Sequence, residues 1–185
     1  ELEYNPDGTM IAVVGERDGN NGPGQVDIFD SDINSATFGD VLQTLTPGNT
    51  AYYYSVDWSP DGNRLVVGGW ETIYILDTDT WSSNRTITNV FDALNSVHYS
   101  PDGNMISACT AYDNGARARV YNAITGAQEW SYTATTSCND AAWSPDSSQI
   151  AFTFTWYQAD GASIHLFFSA SGVKLDTLSA PRPGG

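Results

Sequence analysis

Apolar residues in this 185-residue chain come in short runs between turn-forming clusters, and the whole arrangement recurs. One phrase punctuates it four times. It reads Y-N-P-D-G-T-M-I-A-V-V-G from Tyr4 and W-S-P-D-G-N-R-L-V-V-G-G from Trp58. It returns as Y-S-P-D-G-N-M-I-S-A-C from Tyr99 and W-S-P-D-S-S-Q-I-A-F-T from Trp143. An aromatic is followed by a small polar residue, Pro, Asp, in three copies Gly, and then an apolar run. Pro presets φ for the second position of a tight turn, and Asp caps such turns through its own backbone. Gly8, Gly62 and Gly103 supply the left-handed residue that lets the chain reverse. Each phrase therefore predicts a strand, a turn and a returning strand. Ser147 stands where the fourth glycine would, which predicts a looser fourth turn.

The pattern continues beyond each hairpin. A second apolar strand follows at 26–30, 72–77, 117–122 and 163–168, then a polar turn, then a closing strand at 41–46, 85–90, 127–132 and 173–178. The phrase prolines, Pro6, Pro60, Pro101 and Pro145, lie 54, 41 and 44 residues apart. Four strands in a unit of about 45 residues is the repeat of a β-propeller blade. The expected fold is all-β, with four four-stranded antiparallel units at about 1–47, 48–90, 91–134 and 135–180 and a linker-like tail at 181–185.

On these residues the chain resembles WD-repeat propellers. It resembles more closely the propeller repeats built on W-S-P-D-G in the Tol-system periplasmic propeller and in peptidase-associated propellers. The strand ending of an aromatic or Leu followed by Asp is kept at Phe29-Asp30 and Leu76-Asp77, weakens at Tyr121-Asn122 and is lost at Phe168-Ser169. The Gly-His pair that opens many WD repeats is absent, so the resemblance does not extend to that family's buried Trp-Ser-His-Asp network. It implies a non-catalytic interaction or assembly module. The alternative it carries is the propeller part of a larger hydrolase, or of a periplasmic or secreted protein, that gates a catalytic domain outside these residues.

Composition narrows the partners. The formal charge is −15, and Lys174 is the sole lysine, which excludes nucleic acid, whose phosphates require Lys and Arg. Acidity serves first as a solubility device, and second as an attraction for a cationic or metal-ion partner. No apolar run has the length of a membrane span. Cys109 and Cys138 fall at neighbouring strand ends, so a disulfide is geometrically feasible, but two buried free thiols are the expectation. Asn84-Arg85-Thr86 is a lone glycosylation sequon. The single lysine, the feasible disulfide and the sequon point towards a secreted or surface context, with the cytoplasm as the alternative.

No constellation for catalysis, cofactor or metal binding emerges. His98 and His165 lie inside predicted strands, where a satisfied core or edge histidine is the ordinary case. Neither has a nucleophile partner at a meaningful spacing, and no His/Cys cluster has zinc spacing. The Gly-rich stretch at 18–24 lacks the Lys and helix of a phosphate loop. Asp30, Asp32 and Asn34, with Asp40 beyond, alternate like a calcium loop, but Ser35 and Val41 stand where Gly and Glu would be needed, so turn capping is the expectation.

The reversals between second and third strands crowd one face of a propeller. They offer Trp70, Glu71, Tyr112, Asp113, Trp156, Tyr157 and Asp160, with Tyr52 and Tyr53 nearby. A face of aromatics and carboxylates suits a protein partner, and sugar rings as well; the competing expectation is that half of these rings cap the blade cores. The first unit has residues 1–4 ahead of its turn against 50–58 in the second, which reads as a processed product or a piece of a longer protein. Four blades leave a closure problem: a tight ring, a missing remainder, or burial against other chains. In an open row Ile11, Val13, Ile28 and Phe29 at one end, and Phe152, Phe154, Leu166 and Phe168 at the other, would be uncovered. The expectation is self-association through the terminal blades, or embedding in a longer propeller.

Overall fold

The computed structural model describes residues 1–15, 23–48, 50, 52–111, 117–134, 136–155 and 163–179. Every regular element among them is a strand. In order these are β1 (Leu2–Tyr4), β2 (Met10–Gly15), β3 (Gln25–Asp30), β4 (Val41–Leu45), β5 (Tyr53–Trp58), β6 (Arg64–Asp77) and β7 (Ser82–Tyr99). They continue as β8 (Met105–Thr110), β9 (Arg117–Asn122), β10 (Gln128–Thr133), β11 (Ser137–Trp143), β12 (Gln149–Thr155), β13 (Ser163–Phe168) and β14 (Lys174–Ser179).

Blade 1 is the antiparallel sheet β1-β2-β3-β4, and blade 4 is β11-β12-β13-β14. Between them the ladder runs β10-β9-β8-β7-β6-β5, because two strands each serve twice. A straight β6 of 14 residues would span about 45 Å. It instead doubles back at Trp70-Glu71, where Glu71 takes φ 53. Leu65, Val67, Tyr74 and Leu76 then share one core, and Val66, Ile73 and Ile75 the next. In β7, the stretch 82–88 pairs with β6 and Leu94 to Tyr99 pair with β8. Blade 2 is thus β5, both halves of β6 and the start of β7; blade 3 is the rest of β7 with β8, β9 and β10.

The phrase works as its residues demand. In blade 2 Ser59 N–H donates to the Arg64 carbonyl (2.8 Å), its Oγ accepts from Arg64 N–H (2.9 Å) and donates to Asp61 (2.6 Å), and Gly62 N–H closes the turn on the Ser59 carbonyl (2.8 Å). Ser100 and Ser144 repeat this, and Asn5 substitutes its side-chain oxygen at Met10 N–H (2.8 Å). The fourth turn is not looser. Ser147 adopts φ 60, its N–H still reaches the Ser144 carbonyl (2.9 Å), and its Oγ accepts from Asp102 N–H of the neighbouring blade (3.0 Å).

Three cores separate the blades. Ala12, Val14, Val26 and Ile28 of blade 1 meet the Trp58 face of blade 2. Val66, Ile73 and Ile75 meet the Val97 and Tyr99 face of blade 3. Ala118 and Val120 meet Ile150, Phe152, Phe154 and Phe167 of blade 4. Cys109 and Cys138 lie in this third core, Cα atoms 5.0 Å apart, and form a disulfide. The expectation of two free thiols is corrected: the end of β8 and the start of β11 are brought side by side by blade packing.

Blades 2, 3 and 4 each bury one face on the preceding blade, and among the described residues none of the extensive strand–strand contacts joins β1–β4 to β11–β14. The described strands thus form an open arc. The expected uncovered residues need one correction. Ile28, Phe152 and Phe154 are buried, because strand alternation turns them towards blades 2 and 3. The free face of blade 1 instead carries Leu2, Tyr4, Ile11, Val13 and Phe29, and that of blade 4 carries Ile164, Leu166, Phe168 and Leu178.

Candidate functional site

The β6 reversal at Trp70-Glu71 and the link that enters β5 share one side of the arc. The β6 reversal puts Trp70 on that rim with 48% of its surface exposed, and Glu71 beside it is exposed. Trp70 N–H donates to Thr50 Oγ1 (3.4 Å), which ties the reversal to the link entering β5. Next to Thr50, Tyr52 is 41% exposed and stacks on Tyr54 with ring centres 6.0 Å apart. Tyr53 points the other way. It is buried edge-on against Tyr74 at 5.9 Å, its hydroxyl accepts from Gly48 N–H (3.0 Å), and burial pushes its phenol up to about 12. One ring of this link caps the core, and its neighbours do not. The remaining expected rim residues, Tyr112, Asp113, Trp156, Tyr157 and Asp160, lie outside the described residues. Asn84 is exposed on β7.

A second cluster follows the inner strands, and the sequence reading did not anticipate it. Counting back from each phrase aromatic, the residue immediately before it is Glu3, Asp57, His98 or Ala142; the third before it is Glu1, Ser55, Ser96 or Asp140. His98 Nε2 lies 2.8 Å from Asp140 Oδ1, and its Nδ1 lies 3.9 Å from Asp57 Oδ2. One imidazole of blade 3 thus bridges carboxylates of blades 2 and 4. Burial pushes the Asp57 carboxyl up to about 6, against the bond from Tyr99 N–H and the charge of His98. Burial also pulls His98 down, but the Asp140 bond and the charges of Asp57, Asp140 and Glu1 outweigh it and raise its basicity. The His98 bond holds Asp140 below the usual carboxylate range. Aligning the four phrases would have placed these residues side by side.

His165 is a core histidine, packed between Phe154 (4.6 Å) and Tyr132 (5.5 Å), and burial lowers its basicity. The calcium-like stretch is turn chemistry: Asp32 N–H donates to Asp30 Oδ1 (2.9 Å), Asn34 N–H to Asp32 Oδ1 (2.9 Å), and Thr37 Oγ1 to Asp30 Oδ2 (2.6 Å). On the side opposite the rim, a groove of about 420 Å³ runs between the phrase turns of blades 2 and 3. Of its three carboxylates, Asp61 and Asp102 each accept from a Ser hydroxyl and an Asn side chain, and Asp77 accepts from Thr80 N–H and Oγ1.

Two comparisons bear on this architecture. Residues 39–77 match the family model "WD domain, G-beta repeat". That stretch holds the outer strand of blade 1 and the first three strands of blade 2, ending on the Leu76-Asp77 pair. A chain of Kuenenia stuttgartiensis hydrazine synthase superposes with a TM-score of 0.80 at 16% identity, over 97% of this chain and 48% of that one. The present chain therefore spans about half the length of that neighbour. Similar folds occur in 1302 chains of solved structures, so the likeness defines a fold and not an activity. No curated protein matches the sequence significantly. The chain is a WD-repeat-like β-propeller arc.

Proposed function

We propose that this chain is a non-catalytic propeller module that binds a protein partner through the acidic and aromatic rim around Trp70 and Glu71, and that joins further blades through its terminal faces. The observation that carries the reading is Trp70. A large ring half-exposed at the tip of a tight reversal contributes little to folding, and beside the Tyr52–Tyr54 stack it offers anchor area of the kind that dominates protein contacts. The net charge of −15 favours partners with a basic surface. Stacked, exposed rings also suit glycans, which makes soluble oligosaccharides the control ligand.

The test is titration of an array of basic peptides and of oligosaccharides, followed by tryptophan fluorescence. Trp70→Ala is expected to abolish the response to the binding peptide while shifting the thermal midpoint by less than about 2 °C, as for a surface substitution. A large loss of stability would make Trp70 a core cap and end the proposal; a response to oligosaccharides alone would transfer the rim to glycans.

A further inference from the structure

The joints of blade 1 with blade 2 and of blade 2 with blade 3 follow a rule. The third joint departs from it, because Ala141 N–H turns to Asp140 of its own blade rather than to Ser96 of blade 3. The two free faces carry the rule's groups. In blade 1 the residue third before the aromatic, Glu1, accepts the N–H of Val56 in blade 2 (3.0 Å). In blade 2 the equivalent Ser55 accepts Val97 N–H of blade 3 (2.9 Å), and Asp57 accepts Tyr99 N–H (2.7 Å). The aromatic of the following blade reaches back: Trp58 Nε1 donates to the Glu3 carbonyl (3.1 Å) and Trp143 Nε1 to that of His98 (3.4 Å). The phrase turns dock in the same direction. A Cβ at Gly62 would lie 3.8 Å from Pro6, and one at Gly103 3.6 Å from Pro60, whereas nothing lies within 4 Å of Gly8.

Among the described residues no blade stands before blade 1 to use these groups. Glu1 and Val14 exchange backbone bonds, so ladder alternation turns the N–H groups of Leu2 and Tyr4 off the edge of the sheet. Those are the positions at which Val97 and Tyr99 donate. Blade 4 offers the complement. Asp140 occupies the accepting position; its bonds to His98 and Ala141 both use Oδ1, and its side chain is 64% exposed. Pro145 is exposed where a following glycine would pack, and Phe168 and Leu178 lie bare on the face at 46% and 49% exposure.

We infer that the free face of blade 4 binds the free face of blade 1 of a second copy of this chain, head to tail, with Asp140 accepting the partner copy's Leu2 N–H and Pro145 receiving its Gly8. This rests on the proposed reading of the chain as an assembly module, and it gives that reading a direction and an occupant. A one-handed contact of this kind is heterologous, closing a ring if the rotation allows and a filament if it does not. The apolar residues on both faces supply the affinity, and the repeat's own hydrogen bonds supply the register.

The experiment is sedimentation velocity at 5–50 µM, on the order of typical transient-contact affinities, with Leu2→Glu blocking the head and Leu178→Glu blocking the tail. The wild-type chain should sediment as dimers or larger species. Each variant alone should sediment as a single chain with an unchanged circular dichroism spectrum. Mixed in equal amounts, the two should regain a twofold mass, because each keeps one intact and complementary face. Tyr4→Glu and Phe168→Glu serve as replacements if either variant fails to fold. A monomeric wild type overturns the inference, as does association that survives both single variants or a mixture that stays monomeric. Trp70→Ala should leave sedimentation unchanged, so failure of the rim and failure of the ends are read separately.

Discussion

Ser147 is a test of whether the blades are stitched through their turns. It sits buried at φ 60, where a side chain costs about 1–2 kcal/mol over glycine. The other three phrases place glycine here, at φ 73 to 75. What offsets the cost in blade 4 is the Oγ, which accepts Asp102 N–H of blade 3 at 3.0 Å. Such a bond contributes about 0.5–1.5 kcal/mol net, and water can replace the acceptor at the exposed Asp102. Ser147→Ala keeps the strained backbone and loses the bond, so it should destabilise by about 1 kcal/mol. Ser147→Gly loses the same bond but relieves the strain, at about 0.4–1 kcal/mol of extra unfolded-state entropy. Those terms nearly cancel, and the glycine variant should lie within about 1 kcal/mol of wild type. For a chain of this size the alanine variant should melt roughly 2–4 °C lower, with urea unfolding giving the same order of stability. Equal losses in both variants would mean that the left-handed strain is illusory. An alanine variant as stable as wild type would mean that the inter-blade bond contributes nothing.

Other expectations are quicker to state. Asp57, raised to about 6, and His98, raised above its ordinary value, both bind protons more tightly folded than unfolded, so their contribution is present at low pH and is lost as pH rises through these values. The thermal midpoint should therefore fall between pH 5 and pH 8, and Asp57→Asn should flatten the lower part of that slope; a midpoint rising over this range would contradict the cluster. Reducing the Cys109–Cys138 bridge, which spans 29 residues, should cost about 3.6 kcal/mol by loop entropy, seen as a lower urea midpoint with dithiothreitol. Gly68→Val should destabilise by about 1–3 kcal/mol through overpacking, since even a Cβ would lie 3.1 Å from Val97 and 3.2 Å from Leu94 of the next blade, measurable by calorimetry.

Most of the fold is legible in the sequence because propeller repeats encode local events. The Ser-Pro-Asp-Gly turn, the two-residue period and the strand lengths are decided within about a dozen residues, and they place the strands of each blade to within a few positions. The sequence falls short where the deciding partner is distant. A strand pattern says that alternate residues share a face but not which neighbour that face meets, so it does not reveal that Ile28, Phe152 and Phe154 are buried. The Cys109–Cys138 bridge depends on the packing of blade 4 against blade 3, and the firm fourth turn depends on an N–H donated from another repeat.

The candidate sites divide the same way. Trp70 was readable as a rim residue since a two-residue reversal leaves its ring no interior to enter, and Tyr52 and Tyr53 were not separable because adjacent strand residues point to opposite sides. The His98 cluster was hidden for another reason. Asp57 precedes a Trp, His98 a Tyr, and Asp140 lies three before another Trp, so no local motif joins them; the repeat register alone does. That register is also what makes the terminal faces informative. A blade is built to be preceded and followed. The first two joints each spend a side-chain acceptor, an edge N–H and a proline–turn contact on the neighbour, and the third uses the Ser147–Asp102 and Trp143–His98 bonds. Among the described residues the free faces carry groups of the same kinds, the edge N–H groups of Leu2 and Tyr4 at one end and Asp140 with Pro145 at the other, which is the condition under which a repeat array adds another copy of itself.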